Sequence, residues 1–185
     1  MQQQGARETP VHLVEQHVIK WGDPRFALID RTAFASKNLY TAASYEFRPA
    51  CIVQGVSLGY PEMHQRMKDH EDYKAYKALP AKVAQQVLRT LEKNRQNFVA
   101  ARTSWEDDPS TFLGRSRLPR YKDKREGRNL LAYTIQAFSL PTLRRGLICP
   151  SMLGITVQTK QRHQYIQQVR IIPRKGFYVV EVVYE

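Results

Sequence analysis

Apolar and polar residues alternate along residues 11–21, VHLVEQHVIKW, with Leu13, His17 and Ile19 on one side and Val14, Gln16, Val18 and Lys20 on the other. That is the period of a strand. Gly22-Asp23-Pro24 ends it, because Pro24 cannot donate to a ladder and Asp23 suits the cap of a helix whose first turn holds the proline. The period then changes to that of a helix over residues 26–47, with Leu28, Ala35, Leu39, Ala42 and Ala43 in a stripe flanked by Phe34 and Tyr45, and Arg48-Pro49 predicts its end. Gly55 and Gly59 break the next piece, and Tyr60-Pro61 predicts a short helix through Met63 and Met67 to Lys68. A longer helix begins at Pro80 and carries Val83, Val87, Leu91 and either Arg95 or Phe98 on one face, ending near Trp105 before Asp108-Pro109.

Beyond residue 128 the pattern turns to short runs rich in β-branched and aromatic residues: 130–138, 147–149, 155–159 and 165–172. The runs IQQVRIIP and FYVVEVVYE, separated by Arg174-Lys175-Gly176, predict a closing hairpin. Val180, Val182 and Tyr184 fall on one face of its second strand, and Val179, Glu181 and Val183 on the other. The expected fold is α+β: a small antiparallel barrel whose first strand lies in residues 1–22 and whose remainder lies in 113–185, with a helical lobe, 23–112, inserted between them. A closed or nearly closed barrel would remove the problem of free edge strands.

Charge changes this picture. The chain has 185 residues, a formal net charge of +12 and a 42% apolar share, enough for a real core. Residues 127–180 contain no Asp or Glu but include Arg128, Arg144, Arg145, Lys160, Arg162, Arg170, Arg174 and Lys175. Such a balance favours a polyanionic partner. Because these cations lie among strands and not along an amphipathic helix, nucleic acid is expected ahead of a membrane surface. Between the helical and strand regimes, Arg115, Arg117, Arg120, Lys122, Lys124, Arg125 and Arg128 are interleaved with Tyr121, Pro119 and Gly114. Phosphate contact plus a stacking aromatic is a common grip on RNA or single strands. On the helix from Pro80, Lys82, Gln86, Arg89 and Lys93 form one polar stripe that suits a duplex, though a solvated helix face has the same composition.

Candidate catalytic chemistry is sparse. The acidic clusters Glu71-Asp72 and Glu106-Asp107-Asp108 sit where helices end, a capping position. The histidines 12, 17, 64, 70 and 163 are scattered, and Cys51 and Cys149 stand apart with no zinc-site spacing, so thiols are expected and neither metal nor cofactor is. No long apolar run or signal segment is present, which predicts a soluble intracellular protein without a membrane partner.

Four blocks, AFASKNLYTAASYEFRPA, YKALPAKVAQQVLRTLEKNRQNF, FLGRSRLPRYKDKREGRNLL and IQQVRIIPRKGFYVVEVVYE, resemble in order and spacing the N-terminal half of the TnpB (OrfB) family of RNA-guided nucleases carried by insertion sequences. The resemblance implies a wedge-type, OB-like β-barrel with an inserted recognition lobe. It also implies a guide-like RNA and double-stranded DNA as partners, in a prokaryotic cytoplasm at the nucleoid. By similarity Lys82 and Gln86 would read a short DNA motif, with Tyr45 and Thr134 as further candidates, while base pairing reads the rest. No position matches the family's Mg²⁺ or zinc ligands of the RuvC domain, so the chain is expected to be catalytically inert alone. The alternatives are one part of a split nuclease completed by a separate RuvC chain, or a decayed remnant of a transposon protein.

Overall fold

The computed structural model describes residues 11–53, 59–69 and 74–185, with the side chains of 50–53 excepted. Gly55, His70, the Glu71-Asp72 pair and the Cys51 side chain lie outside the described residues. Strand β1, Leu13–Lys20, is followed by helices α1 (Phe26–Val53), α2 (Tyr60–Asp69), α3 (Lys74–Lys77) and α4 (Ala81–Asp107). Then come β2 (Leu131–Thr134), α5 (Leu140–Arg144), β3 (Leu147–Ile148), β4 (Val157–Gln158), β5 (Ile166–Arg174) and β6 (Phe177–Tyr184). β1 joins the late strands in a four-stranded antiparallel sheet of order β1-β6-β5-β2. The α+β class and the joining of the first strand to the late strands therefore stand, with the last strand as its partner.

The closed barrel does not. Among the described residues, β3 and β4 pair only with each other, and β1 and β2 are the edges of the larger sheet. The expected strand at 130–138 breaks after Thr134, where a 3-10 turn over Ile135–Ala137 and then α5, with Pro141 in its first turn, take the chain off the sheet. Two-residue strands at β3 and β4 are too short to bridge the remaining gap. A second correction concerns Pro49, which lies inside α1. Its missing N–H leaves the carbonyl of Tyr45 without its helical donor, and both Tyr45 and Pro49 lie on the exposed side of a helix that continues to Val53.

Asp23 does cap the entry to α1: its carboxylate accepts from Arg25 N (2.9 Å) and holds the Arg25 guanidinium at 2.6 Å. Trp21, Phe26 and Tyr178 follow in edge-to-face contact, 5.3 Å between centroids at each step, which ties this corner to β6. One face of the sheet carries Ile19, Tyr178, Val180, Val182, Val169, Ile171, Leu131 and Tyr133 into the core. Ile29, Ala33, Leu39 and Ala43 of α1 and Val83, Val87, Leu88 and Leu91 of α4 belong to the same continuous cluster. Arg95, 4% exposed, continues the buried α4 face where Phe98 is half-buried. The other sheet face carries a polar row, Gln16 donating to Glu181 at 3.1 Å and Arg170 paired with Glu181 at 2.7 Å. The same row is flanked on β1 by Val14 and Val18, 40% and 52% exposed. His64 packs on Tyr60 and sits 2.8 Å from the Tyr76 hydroxyl, which fastens α2 to α3.

Carboxylates pin the sheet at both ends. Burial pushes Glu15 upward, but hydrogen bonds from Gln161, Thr159 and Lys160 N, with His17 beside it, outweigh that and hold it below its ordinary 4.5. Arg128 and Tyr178 hold Asp30 below 3.8, and Arg25 takes Asp23 down to about 2. Folded values below unfolded ones mean that this stability is complete above about pH 4.5 and is lost as pH falls through the folded values. Glu15, Asp23 and Asp30 keep 15%, 20% and 32% of their side-chain exposure, so solvent screens all three and none contributes its full shift. Denaturant melts should therefore give a constant stability from about pH 7 to pH 5 and a decline below about pH 4.5 that a Glu15→Gln, Asp30→Asn double variant flattens. A wild-type stability unchanged down to about pH 3 would contradict this account.

Candidate nucleic-acid interface

From the 3-10 turn Pro109–Thr111 to β2 the chain has no regular secondary structure, yet it is no free linker. It runs back along α1 and is fastened at successive points. The Arg48 guanidinium lies 5.0 Å from the Tyr121 ring centroid, Lys122 approaches the Tyr40 ring, and the Lys37 ammonium donates to the Lys124 carbonyl at 2.9 Å. Asn129 N donates to Ala33 O (3.1 Å), Asn129 Nδ2 to Ser36 Oγ (3.1 Å), and Ser36 Oγ to Leu130 O (3.0 Å). Asp123 Oδ1 accepts from the backbone N–H of Arg125 and Glu126, closing a loop in which a Cβ on Gly127 would collide with the Asp123 carbonyl oxygen. Lys37 is buried, and that burial, with the Arg128 charge nearby, pushes it below its ordinary 10.5.

Arg128 is the strongest fastening. Its Nε and Nη2 meet the two carboxylate oxygens of Asp30 at 2.8 Å each, its Nη1 donates to the Arg125 and Gly127 carbonyls, and Tyr178 donates to Asp30 at 2.7 Å. A bidentate fork of this kind is committed to its carboxylate. Among the joint's cations singled out from the sequence, Arg128 thus turns inward, while Arg115, Arg117, Arg120, Lys122, Lys124 and Arg125, together with Tyr121, are exposed.

Part of that outward set meets the helices in an open cleft of about 380 Å³, where Arg115, Arg117 and Arg120 of the joint face Arg48 of α1 and Arg102 and Phe98 of α4. Arg102 is held by Glu106 at 2.8 Å. Ser116 lines the same cleft, and its buried hydroxyl has no hydrogen-bond partner among the described residues. Five guanidinium groups around one opening concentrate anions, and each presents a planar fork matched to phosphate oxygens. Arg48 and Arg102 were not singled out from the sequence. No local spacing marks them, since their partners in the cleft come from a segment that tertiary packing alone brings near.

The α4 stripe divides. Gln86 is half-buried in the seam between α4 and β2, beside Thr90, Asn129, Leu130 and Ala132. Lys82 is exposed and lines the next opening along α4, about 470 Å³, with Pro80, Gln136, Phe138 and Met152. Thr134 lies on β2, pairs with Gln168 and lines neither opening, so Gln86 and Lys82 border two separate openings along α4 with Thr134 on the strand beside them. Arg89 leans the other way, its guanidinium 4.5 Å from the Tyr60 ring centroid, and Lys93 is exposed further along. Tyr45, 69% exposed on α1, lines neither opening.

Among the described residues no group of three or more His, Cys, Asp or Glu is placed to hold a metal ion, and no helix is long and apolar enough to cross a membrane. No protein-family model matches the chain, and no curated protein matches it.

Proposed function

We propose that this chain is a nucleic-acid-binding recognition module of the TnpB type, with no catalysis of its own. The observation that carries the reading is the joint itself. It is fastened to α1 by Lys37, Ser36, Asn129 and Arg128, and this leaves six cations and Tyr121 directed outward beside a cleft lined by five arginines. A solvated linker would have no reason to be held so rigidly with like charges together. In this reading Arg115, Arg117, Arg120, Lys122, Lys124 and Arg125 grip the backbone of a guide-like RNA, with Tyr121 as a stacking surface and Arg89 and Lys93 as flanking phosphate contacts. Lys82, Gln86 and Thr134 read duplex DNA along the α4–β2 seam, with Tyr45 as an outlying contact. The open sheet and the β3–β4 ribbon are the two pieces of a wedge-type barrel.

Fluorescence anisotropy with a short single-stranded RNA and a short duplex tests the reading. Six to ten phosphate contacts should weaken binding by about 10³–10⁵ between about 50 and 200 mM salt. Absence of binding to both at about 50 mM salt would sink it. Gln86→Ala should alter preference at one base pair by about 1–3 kcal/mol while leaving the salt dependence unchanged.

The second reading, one part of a split nuclease, draws on the exposed Val14 and Val18 on the outer face of β1, an apolar border next to β6 on which a further chain would close. Mg²⁺-dependent cutting of duplex DNA, seen only when a separate RuvC chain is added, is the outcome that would favour it.

A further inference from the structure

We propose that Met152 is an apolar wedge that enters between base pairs of a duplex held in the α4–β2 seam; this rests on the duplex binding proposed above. Among the described residues Met152 is the one non-glycine with a positive φ, 59°. It is the third residue of the turn closed by Leu153 N donating to Pro150 O at 3.2 Å, the position where a positive φ ordinarily demands glycine. A side chain there strains the backbone. Packing does not repay that strain, because Met152 is 76% exposed.

The turn beneath it is firmly set. Leu153 and Ile155 are in the core, Pro150 is buried, and Ser151 N donates to Ala137 O at 3.3 Å, which anchors the turn to the segment leaving β2. Met152 is thus exposed on a firmly held turn and lines the same opening as Lys82 and Gln136, next along α4 from the opening that Gln86 lines. The surrounding stretch, residues 127–180, contains no carboxylate to repel a phosphate backbone. Proteins that kink DNA insert such a side chain, Met among them, between base steps beside cationic contacts.

The probe is a pool of short duplexes with a randomised central segment, mixed with the full chain; permanganate reactivity reads unstacked thymines and anisotropy reads binding. Wild type and Met152→Leu should expose reactive thymines. Met152→Ala and Met152→Gly should lower that reactivity by about tenfold, with an unchanged salt dependence of binding because no charge is altered. Met152→Gly should also raise Tm by about 2–4 °C as the strain is relieved. Duplex binding with equal reactivity in all four proteins, or with none in the wild type, would overturn the wedge and leave the proposed function intact. Lack of duplex binding by the wild type would overturn the wedge together with the duplex readout, and lack of RNA binding as well would overturn the proposed function. A lower Tm for Met152→Gly would show that packing holds Met152 in place and would overturn the argument from strain.

Discussion

Asp30→Asn should cost about 2–3 kcal/mol of stability and lower Tm by about 5–10 °C. The carboxylate is the shared acceptor of a bidentate guanidinium and a phenol from two separate elements, Arg128 of the joint and Tyr178 of β6. Neutralising it leaves the Arg128 charge without its partner, close to the buried Lys37 ammonium. Breaking a fully buried pair costs about 3–5 kcal/mol, and the lower figure reflects side chains that keep 24% and 32% of their exposure. Thermal melts of Asp30→Asn, Arg128→Met and the double variant would measure the coupling between them. A loss below about 0.5 kcal/mol for Asp30→Asn would place the joint's anchorage elsewhere.

Reversing the outward arginines should act on binding and spare the fold. Arg115→Glu, Arg117→Glu and Arg120→Glu combined should weaken binding to RNA and to DNA of any sequence by about a hundredfold at low salt, and should lower the slope of log affinity against log salt by about two to three. All three side chains are exposed and line one cleft with Arg48 and Arg102, so removing like charge there costs little stability, within about 0.5 kcal/mol. Titrations at several salt concentrations beside a thermal melt would read both quantities. Equal affinity for wild type and variant would show that the cleft is not part of the grip. The contrast with Arg128→Met is the useful one: that variant should melt earlier yet, while folded, bind nucleic acid with nearly the wild-type salt slope.

The elements that could be read from the chain are those whose pattern is local. The strand at Leu13–Lys20, the long helix after Pro80 and the closing hairpin at Lys175-Gly176 follow from alternation, from the 3.6 period and from turn chemistry. Where expectation failed, the cause lay in local features that the pattern of apolar positions does not register. Pro49 reads as a helix stop because it removes a donor, but it falls on the exposed side of α1 and the helix passes through. A closed or nearly closed barrel would protect the sheet edges, but the runs at 130–138, 147–149 and 155–159 are cut short by turns and by α5, which the apolar pattern does not register.

The candidate interface divides along the same line. By itself the sequence determined that positive charge concentrates between residues 115 and 128 and that Lys82 and Gln86 share a helix face, because charge density and helical spacing belong to neighbouring residues. Tertiary structure decided which cations are available. Asp30, 98 positions before Arg128, turns that arginine inward; Arg48 of α1 and Arg102 of α4 are added to the cleft; and Met152 shares an opening with Lys82, 70 positions away. A cation's direction depends on whether a carboxylate lies within a few ångströms, and distance in space is what a one-dimensional pattern of charge does not contain.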